Sequence, residues 1–357
     1  MRKGNAPPTG AEEAVPRAVE QLVELGRAEE RRGELPQALE HYAEAARMLA
    51  DDGDSPLSAD VVRWMGTVRR EMGDTSEAES LYRESLAASE RMGYSAGEAH
   101  AMNCLAIISQ RKGEVDGASA LYRRAARLAT LAGEHRLSGM IEQNLGVLSN
   151  IRGDLDGAYV RYRAALAAFD AADDKEGMSW VLNNIGMLHT DMGRFDEARD
   201  SLRRGLEIAR EHGDLKMEGL CQLNIAEAYI GEGRWSEAEG PCTNALEIAD
   251  KRGDPVRRAD ALKFLAVLKR EANDRSGASV ALDEALSLAR GGGDTLSEAE
   301  VLREIGETRL QTGDREGAGE AWARALDLFR SIDAVLDAQA TEDRLELLRR
   351  DAAPGAV

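Results

Sequence analysis

The residue types that most often perform catalysis or bind metals are few in this chain of 357 residues, and their spacing forms no motif. The three cysteines are an odd number, far apart and without a CxxC pair, which argues against a disulfide framework or a zinc site. No phosphate-binding loop, HExxH zinc motif, nucleophile elbow or calcium-binding loop occurs. We therefore expect no catalytic residues, no metal and no cofactor. The histidines and cysteines are His41, His100, His135, His189, His212, Cys104, Cys221 and Cys242.

Asparagine is the polar residue type with a suggestive distribution. Asn competes for hydrogen bonds with its own backbone and is a mediocre helix former, so a concentration of Asn in helical segments requires a reason. A primary amide offers two donors and an acceptor, so amides on neighbouring helices could bind both N–H and C=O groups of an extended peptide. The alternative is that the amides satisfy one another between adjacent helices and fix their packing. Six of the nine asparagines lie in predicted helices of the central region: Asn103, Asn144, Asn150, Asn183, Asn184 and Asn224.

Several larger side chains accompany the asparagines at neighbouring helical positions. Trp64 and Phe264 bracket the amides and could receive apolar anchor side chains of a ligand. Methionines nearby add adaptable apolar surface. Trp180 could equally well fill a gap in an alanine-rich core. The predicted peptide-binding groove comprises Arg63, Trp64, Asn103, Met140, Gln143, Asn144, Trp180, Asn183, Asn184, Met187, Asn224 and Phe264.

A 40-residue period supplies the elements that position these side chains. A glycine followed five residues later by an alanine occurs first at Gly33, and the pattern recurs every 40 residues, with Asn273 replacing one glycine. A second series, offset by 20 residues, begins at Gly53 and has Asp173 and Asp333 at two places. Gly, and less often Asn or Asp, adopts the left-handed conformation that ends a helix. Each of eight repeats is therefore predicted to contain two helices of about 16 residues, separated by turns.

The residues between the turns follow helical periodicity. In the second helices, apolar residues recur at spacings of four and three, which places them on one helical face. A column of small residues in the first helices is predicted to face the Ala38-type column of the second helices, so that the two helices approach closely. The small residues are Gly26, Gly66, Ala106, Gly146, Gly186, Ala226, Ala266 and Gly306.

This pattern resembles the tetratricopeptide repeat (TPR), over roughly residues 15–350. Two features depart from the family: the period is 40 residues instead of 34, and the proline after the second helix is absent, both of which imply longer helices. The resemblance implies an all-α, right-handed α-solenoid of eight repeats, whose first helices line a groove that binds extended peptides. In repeat four the matching residues are Leu145, Gly146, Gly153, Ala158, Tyr162 and Ala165.

The ends of the repeat array are predicted from the same register. The eight repeats should occupy residues 13–333. Within residues 334–350, Leu345 continues the leucine column, but Glu346 stands where the small residue belongs, which predicts a charged capping helix with a polar outer face. Residues 1–12 and 351–357 are predicted to be disordered tails.

Charge limits the partners. With 46 Lys and Arg against 65 Asp and Glu, the formal net charge of −19 argues against nucleic acid or an anionic membrane as a partner. The chain has no apolar run of ~20 residues and no apolar stretch of a signal peptide at its start, so a cytoplasmic location is expected. Charge is absent from residues 99–110 and 177–190. A helix without charge on either face is typically buried or reserved for contact.

Together these patterns predict a non-enzymatic protein-interaction scaffold or adaptor that binds an extended peptide in the groove of repeats three to six. The alternative, from a different class, is a bacterial regulatory sensor whose groove binds a small effector or a signalling peptide. We expect a protein or peptide partner, with neither nucleic acid nor membrane, and a homo-oligomer is compatible with the sequence.

Overall fold

The computed structural model describes residues 14–50, 53–332 and 334–352, and within them it contains seventeen α-helices and no strand. The predicted all-α solenoid class is confirmed. The first helices of the eight repeats are the odd-numbered helices up to α15, and the second helices are the even-numbered ones. The helices are α1 (Ala14–Arg32), α2 (Leu35–Leu49), α3 (Pro56–Glu71), α4 (Thr75–Met92), α5 (Ser95–Arg111), α6 (Val115–Ala132), α7 (His135–Ile151), α8 (Leu155–Ala171), α9 (Lys175–Asp191), α10 (Phe195–Glu211), α11 (Leu215–Gly231), α12 (Trp235–Arg252), α13 (Pro255–Glu271), α14 (Arg275–Gly292), α15 (Thr295–Gln311), α16 (Arg315–Ser331) and α17 (Val335–Ala352).

The predicted turns have the left-handed backbone that ends a helix. Asp173 and Asn273 stand where the repeat otherwise has glycine, and their φ angles are +51° and +62°. Asn and Asp tolerate this region better than other residues with a Cβ, which explains why they substitute for glycine here. Asp333, the remaining position of this kind, lies outside the described residues. An aspartate after the turn commonly starts the next helix, as where Asp154 Oδ1 accepts a hydrogen bond from the Gly157 N–H at 3.0 Å.

The small residues of the first helices allow close helix packing, although their main neighbour differs from the predicted one. A Cβ added to Gly66 would lie 2.7 Å from Cε1 of Tyr82 and 3.3 Å from the carbonyl oxygen of Ala78. At Gly146 the corresponding distance to Cε1 of Tyr162 is 2.5 Å. At Gly66 and Gly146 the small residue therefore makes room mainly for the aromatic ring four residues after the alanine, and only secondarily for the Ala38-type column.

The chain divides into two compact units, residues 1–177 (the N-terminal unit) and 178–357 (the C-terminal unit). In the N-terminal unit, α3 contacts α5 and α5 contacts α7; in the C-terminal unit, α11 contacts α13 and α13 contacts α15. Within each unit, these first helices thus form one layer, with a core of mostly Ala, Leu, Ile and Val side chains between this layer and the second helices.

The last helix, α17, packs against α16. Leu345 is buried in this contact, whereas Glu346 is exposed. Such a polar outer face is what the predicted capping role requires. The predicted tail at 351–357 begins inside α17, which extends to Ala352, and the rest of that tail and residues 1–12 lie outside the described residues. None of the described helices combines the length and apolar character needed to span a membrane.

Candidate functional site

Two of the predicted groove amides in the N-terminal unit bond each other. Asn144 Nδ2 on α7 donates a hydrogen bond to Asn103 Oδ1 on α5 at 3.1 Å. Asn103 is only 2% exposed, and Asn144 is half-buried. This is the contact required by the alternative in which the amides satisfy one another, and it removes the Asn103 side chain from the surface.

The predicted aromatic anchor Trp64 is partly covered by its own unit. The guanidinium carbon of Arg27 lies 4.3 Å from the indole centroid, and the Tyr42 ring centroid lies 5.9 Å from it. Arg63 approaches the same ring at 5.6 Å, and its Nη2 donates to Asp60 Oδ1 at 2.8 Å. Trp64 and Arg63 are both half-buried, so only part of each side chain remains for a ligand.

A second amide pair lies in the C-terminal unit. Asn224 Nδ2 on α11 donates to Asn183 Oδ1 on α9 at 2.7 Å. Asn183 Nδ2 in turn lies 3.5 Å from the sulfur of Met187, and the Cys221 thiol is 3.8 Å from Asn183 Oδ1. With exposures of 1% for Asn183 and 7% for Asn224, this pair also faces the interior of its unit.

Two other predicted amides have no partner. Within the described residues, the side chains of Gln143 on α7 and Asn184 on α9 make no hydrogen bond, and both are half-buried. Each lies three residues from an exposed methionine on the same helix, Met140 at 38% exposure and Met187 at 43%. Residues three apart share a helical face. Each helix therefore presents a free amide beside adaptable apolar surface.

Trp180 occupies an intermediate position. Its ring packs against the core of the C-terminal unit, and Lys216 Nζ lies 5.4 Å from its centroid. The side chain is half-buried, so it both fills the core, as one of the two sequence interpretations expects, and keeps part of its surface free.

Phe264 lines a cavity of about 290 Å³ in the C-terminal unit that the sequence did not predict. Apolar side chains from α9, α11, α13 and α15 line it, together with charged side chains from α11, α13, α15 and the residue just before α15. We call it the acidic cavity. Its lining residues include Met187, Leu223, Glu227, Arg257, Asp260, Lys263, Phe264, Asp294, Leu296, Ser297 and Glu300.

Lys263 lies at the centre of the charges in the acidic cavity. It is 9% exposed, donates a hydrogen bond from Nζ to Glu300 Oε2, and has its ammonium 4.9 Å from the Phe264 ring centroid. Burial alone would lower the pKa of Lys263, but Glu300, Asp260 and Glu227 raise it. Burial raises the pKa of Asp260. The nearby carboxylates of Glu300 and Asp294 raise it further, whereas Lys263 and Arg257 lower it by less than the sum of these effects.

One signal for this cavity was present in the sequence. Lys263 stands in the same repeat column as Asn103 and Asn183, and its charge follows the apolar Leu223 of the preceding repeat. The partner Glu300 is 37 residues away, a spacing that the 40-residue register does not identify. The column located the lysine, but its carboxylate partners depend on how neighbouring helices pack.

Sequence-family comparison agrees with this architecture. Tetratricopeptide repeat models match residues 21–91, 99–131, 140–211 and 220–256, which together are more than half of the chain. The chain belongs to the tetratricopeptide repeat family. A model described as anaphase-promoting complex subunit 5 also matches residues 258–302 of this TPR chain. No curated protein sequence matches it significantly.

Solved structures share the TPR fold at low sequence identity. A Rap protein complexed with competence and sporulation factor is 14% identical, with a TM-score of 0.63 over 95% of this chain and 98% of that chain. A Rap conjugation gene regulator of plasmid pLS20, in complex with a Phr peptide, is 16% identical, with a TM-score of 0.60 over 82% and 79%. A signal transduction ATPase with a TPR sensor from Pyrococcus horikoshii is 16% identical, with a TM-score of 0.62 over 90% and 50%. These similarities establish the fold.

TPR repeats are typically non-catalytic interaction modules. In the described part of this TPR chain, no group of three or more His, Cys, Asp or Glu side chains is arranged to hold a metal ion. The three cysteines are buried and free, and burial raises the pKa of Cys221 and Cys242 to about 12, which keeps both as thiols near neutral pH.

Proposed function

We propose that the chain is a protein-interaction scaffold or adaptor that binds extended peptide segments on its first helices, in repeats three to six. The observation that carries this proposal is the pairing of a free amide with an exposed methionine on one helix, Gln143 with Met140 and Asn184 with Met187. The amide can bond a peptide backbone, and the methionine can pack against its side chains. Each unit has its own binding surface, on α7 in the N-terminal unit and on α9 in the C-terminal unit.

The buried amide pairs support the same surface indirectly. The Asn103–Asn144 and Asn183–Asn224 hydrogen bonds join adjacent first helices. Because short amides make these contacts, no large apolar side chain at these positions has to occupy the proposed peptide-binding surface. The first helices nearby are also nearly free of charge, so a peptide backbone can approach without desolvating ionised groups. Among the similar structures, two Rap proteins are described with a peptide or factor bound, which agrees with a peptide ligand for this fold.

Site-specific photo-crosslinking tests the proposal. A photoreactive phenylalanine replaces Met140 or Met187, and a displayed library of random peptides is selected on the protein and crosslinked. Matched controls carry the same residue at Val160 or Val280, each 66% exposed on a second helix. We expect crosslinks from the methionine positions and few from the valines. Equal crosslinking at the valine positions, or none at the methionines, would contradict the proposal.

A regulatory sensor for a small effector or a signalling peptide is the second candidate. The fold similarity to Rap proteins and to an ATPase with a TPR sensor favours it. A sensor changes conformation on binding, whereas a passive scaffold does not need to. Small-angle scattering with and without a selected peptide separates the two, because ligand-dependent compaction supports the sensor and an unchanged profile supports the scaffold.

A further inference from the structure

The acidic cavity of the C-terminal unit has an excess of negative charge. Four carboxylates line it, but only two basic side chains do. Three of the carboxylates have partners: Arg257 Nη1 donates to Asp260 at 2.9 Å, Lys263 donates to Glu300, and Asp294 accepts the backbone N–H of residue 297 at the start of α15. The cavity therefore keeps unneutralised negative charge after these internal contacts.

Glu227 is the carboxylate without a partner. Among the described residues it makes neither a hydrogen bond nor an ion pair, and its side chain is exposed at the mouth of the cavity. Desolvation by the surrounding helices raises the pKa of its carboxyl; Lys263 lowers it, and Glu300 raises it further. A cation placed beside Glu227 would relieve this unfavourable concentration of negative charge.

Ser297 provides an independent sign of a missing ligand. It lines the same cavity and is 4% exposed, yet its Oγ has no hydrogen-bond partner in the part of the chain that the structure describes. A buried hydroxyl without a partner costs about 1–3 kcal/mol, and such groups are rare in folded proteins. Because the hydroxyl oxygen can accept, an N–H donor inside the cavity would satisfy it.

The size and walls of the cavity fit one long side chain. A volume of about 290 Å³ is at the lower limit of small-molecule pockets, which span roughly 300–1,000 Å³. Leu223 and Leu296 can pack against a methylene chain, while the charged end remains among the carboxylates.

We infer that the acidic cavity binds the basic side chain, arginine or lysine, of a peptide held by the C-terminal unit. Glu227 pairs with the cation, and Ser297 Oγ accepts a hydrogen bond from it. This inference rests on the proposed function, because it identifies the chemistry of one residue in the bound peptide. It adds one requirement to the proposed extended peptide, a basic residue between apolar ones.

Binding of a defined tripeptide tests the cavity. The probes are acetyl-Leu-Arg-Leu-amide and its neutral analogue with citrulline in place of arginine, titrated into the full chain labelled with ¹³C at the methionine methyl groups. Met187 lines the cavity, and its methyl resonance, assigned with Met187→Leu, reports occupancy. We expect the arginine peptide to shift this resonance saturably. The citrulline peptide should have a Kd about tenfold higher, because it loses about one charge-assisted hydrogen bond.

Matched variants assign the effect to the named groups. Glu227→Gln should weaken the arginine peptide about tenfold, and Ser297→Ala should weaken it measurably without changing the fold. Glu247→Gln is the control, because Glu247 on α12 of the same unit is exposed and has no ion-pair partner among the described residues, and its substitution changes net charge equally. Glu227 has no partner to lose, so circular dichroism of Glu227→Gln should match the parent chain.

Three results would overturn the inference: no saturable shift with the arginine peptide, equal binding of the citrulline peptide, or parent-like binding by Glu227→Gln. Failure of the proposed function has a different signature. In that case library peptides fail to crosslink at positions 140 and 187, although the arginine tripeptide still binds and still depends on Glu227.

Discussion

Replacing Asn183 by alanine tests whether the buried amides hold the C-terminal unit together. Asn183 Oδ1 accepts the hydrogen bond of Asn224 Nδ2 at 2.7 Å, and both side chains are buried. Next to it, Asn184 has a half-buried amide that makes no hydrogen bond to any residue the structure describes. Two adjacent asparagines on one helix therefore differ in whether the side chain makes an internal hydrogen bond. This difference makes Asn184→Ala a matched control for Asn183→Ala.

The expected magnitude follows from the contacts of each amide. Asn183→Ala leaves the Asn224 amide buried without its acceptor, at a cost of about 1–3 kcal/mol, and the lost packing adds to it. We therefore expect a loss of about 2–3 kcal/mol in the free energy of unfolding. Asn184→Ala removes no internal hydrogen bond and gains helix propensity, so its effect should stay within about 0.5 kcal/mol.

Urea denaturation followed by circular dichroism gives these free energies, and hydrogen exchange of the α9 and α11 amides locates the loss. A double-mutant cycle with Asn224→Ala should give a coupling of about 1 kcal/mol, because each single variant already breaks the bond. Additive effects, or equal effects of Asn183→Ala and Asn184→Ala, would refute the assignment of Asn183 and Asn224 as a structural pair.

Further predictions concern packing and pH. Gly146→Val forces a side chain against the Tyr162 ring and should destabilise by about 1–3 kcal/mol, while Gly291→Ala, an open helical site, should be neutral or stabilising; thermal melts compare them. Burial, together with nearby arginines, lowers the pKa of His100 to about 4. On acidification, the imidazole of His100 is therefore protonated in the unfolded chain at a higher pH than in the folded chain. The melting temperature should therefore fall between about pH 6.5 and 4, and less so in His100→Gln. The pKa of Glu227 is raised, so ionised Glu227 opposes folding at neutral pH; Glu227→Gln should melt higher there, with the difference vanishing as acid protonates Glu227.

The sequence predicted the fold well because the turns carry a strict backbone requirement. Left-handed φ values at Asp173 and Asn273 show that even the exceptions to the glycine rule were readable, since Asn and Asp are the residues that replace glycine there. The neighbour of the small column was less well predicted. At Gly146 the atoms nearest to an added Cβ belong to the Tyr162 ring and not to the alanine column, because the large ring reaches across the space between the two helices.

The candidate site was only partly predictable, because the sequence period places a residue on a helix but does not give its rotation against the next helix. The asparagines lie on first helices as predicted, yet Asn103 bonds Asn144 and Asn183 bonds Asn224, each 41 residues apart and therefore one column out of register. The 40-residue period alone does not give this one-residue offset. Similarly, the 37-residue spacing between Lys263 and Glu300 follows from packing alone.

The two units differ in what their first helices leave unsatisfied, and this difference points to the part of the surface that determines specificity. Free amides at Gln143 and Asn184 can bond any peptide backbone, so they contribute affinity without selecting a sequence. Ser297 instead lacks a hydrogen-bond partner among the described residues although it is only 4% exposed, and Glu227 in the same cavity lacks a counter-charge, so an apolar ligand side chain leaves both without a partner. A binding site discriminates most strongly when the wrong ligand leaves buried polar groups unpaired. The selection among peptides should therefore depend more on the acidic cavity than on the amides. With the photoreactive phenylalanine at position 187, Glu227→Gln should broaden the set of library peptides that crosslink rather than abolish crosslinking.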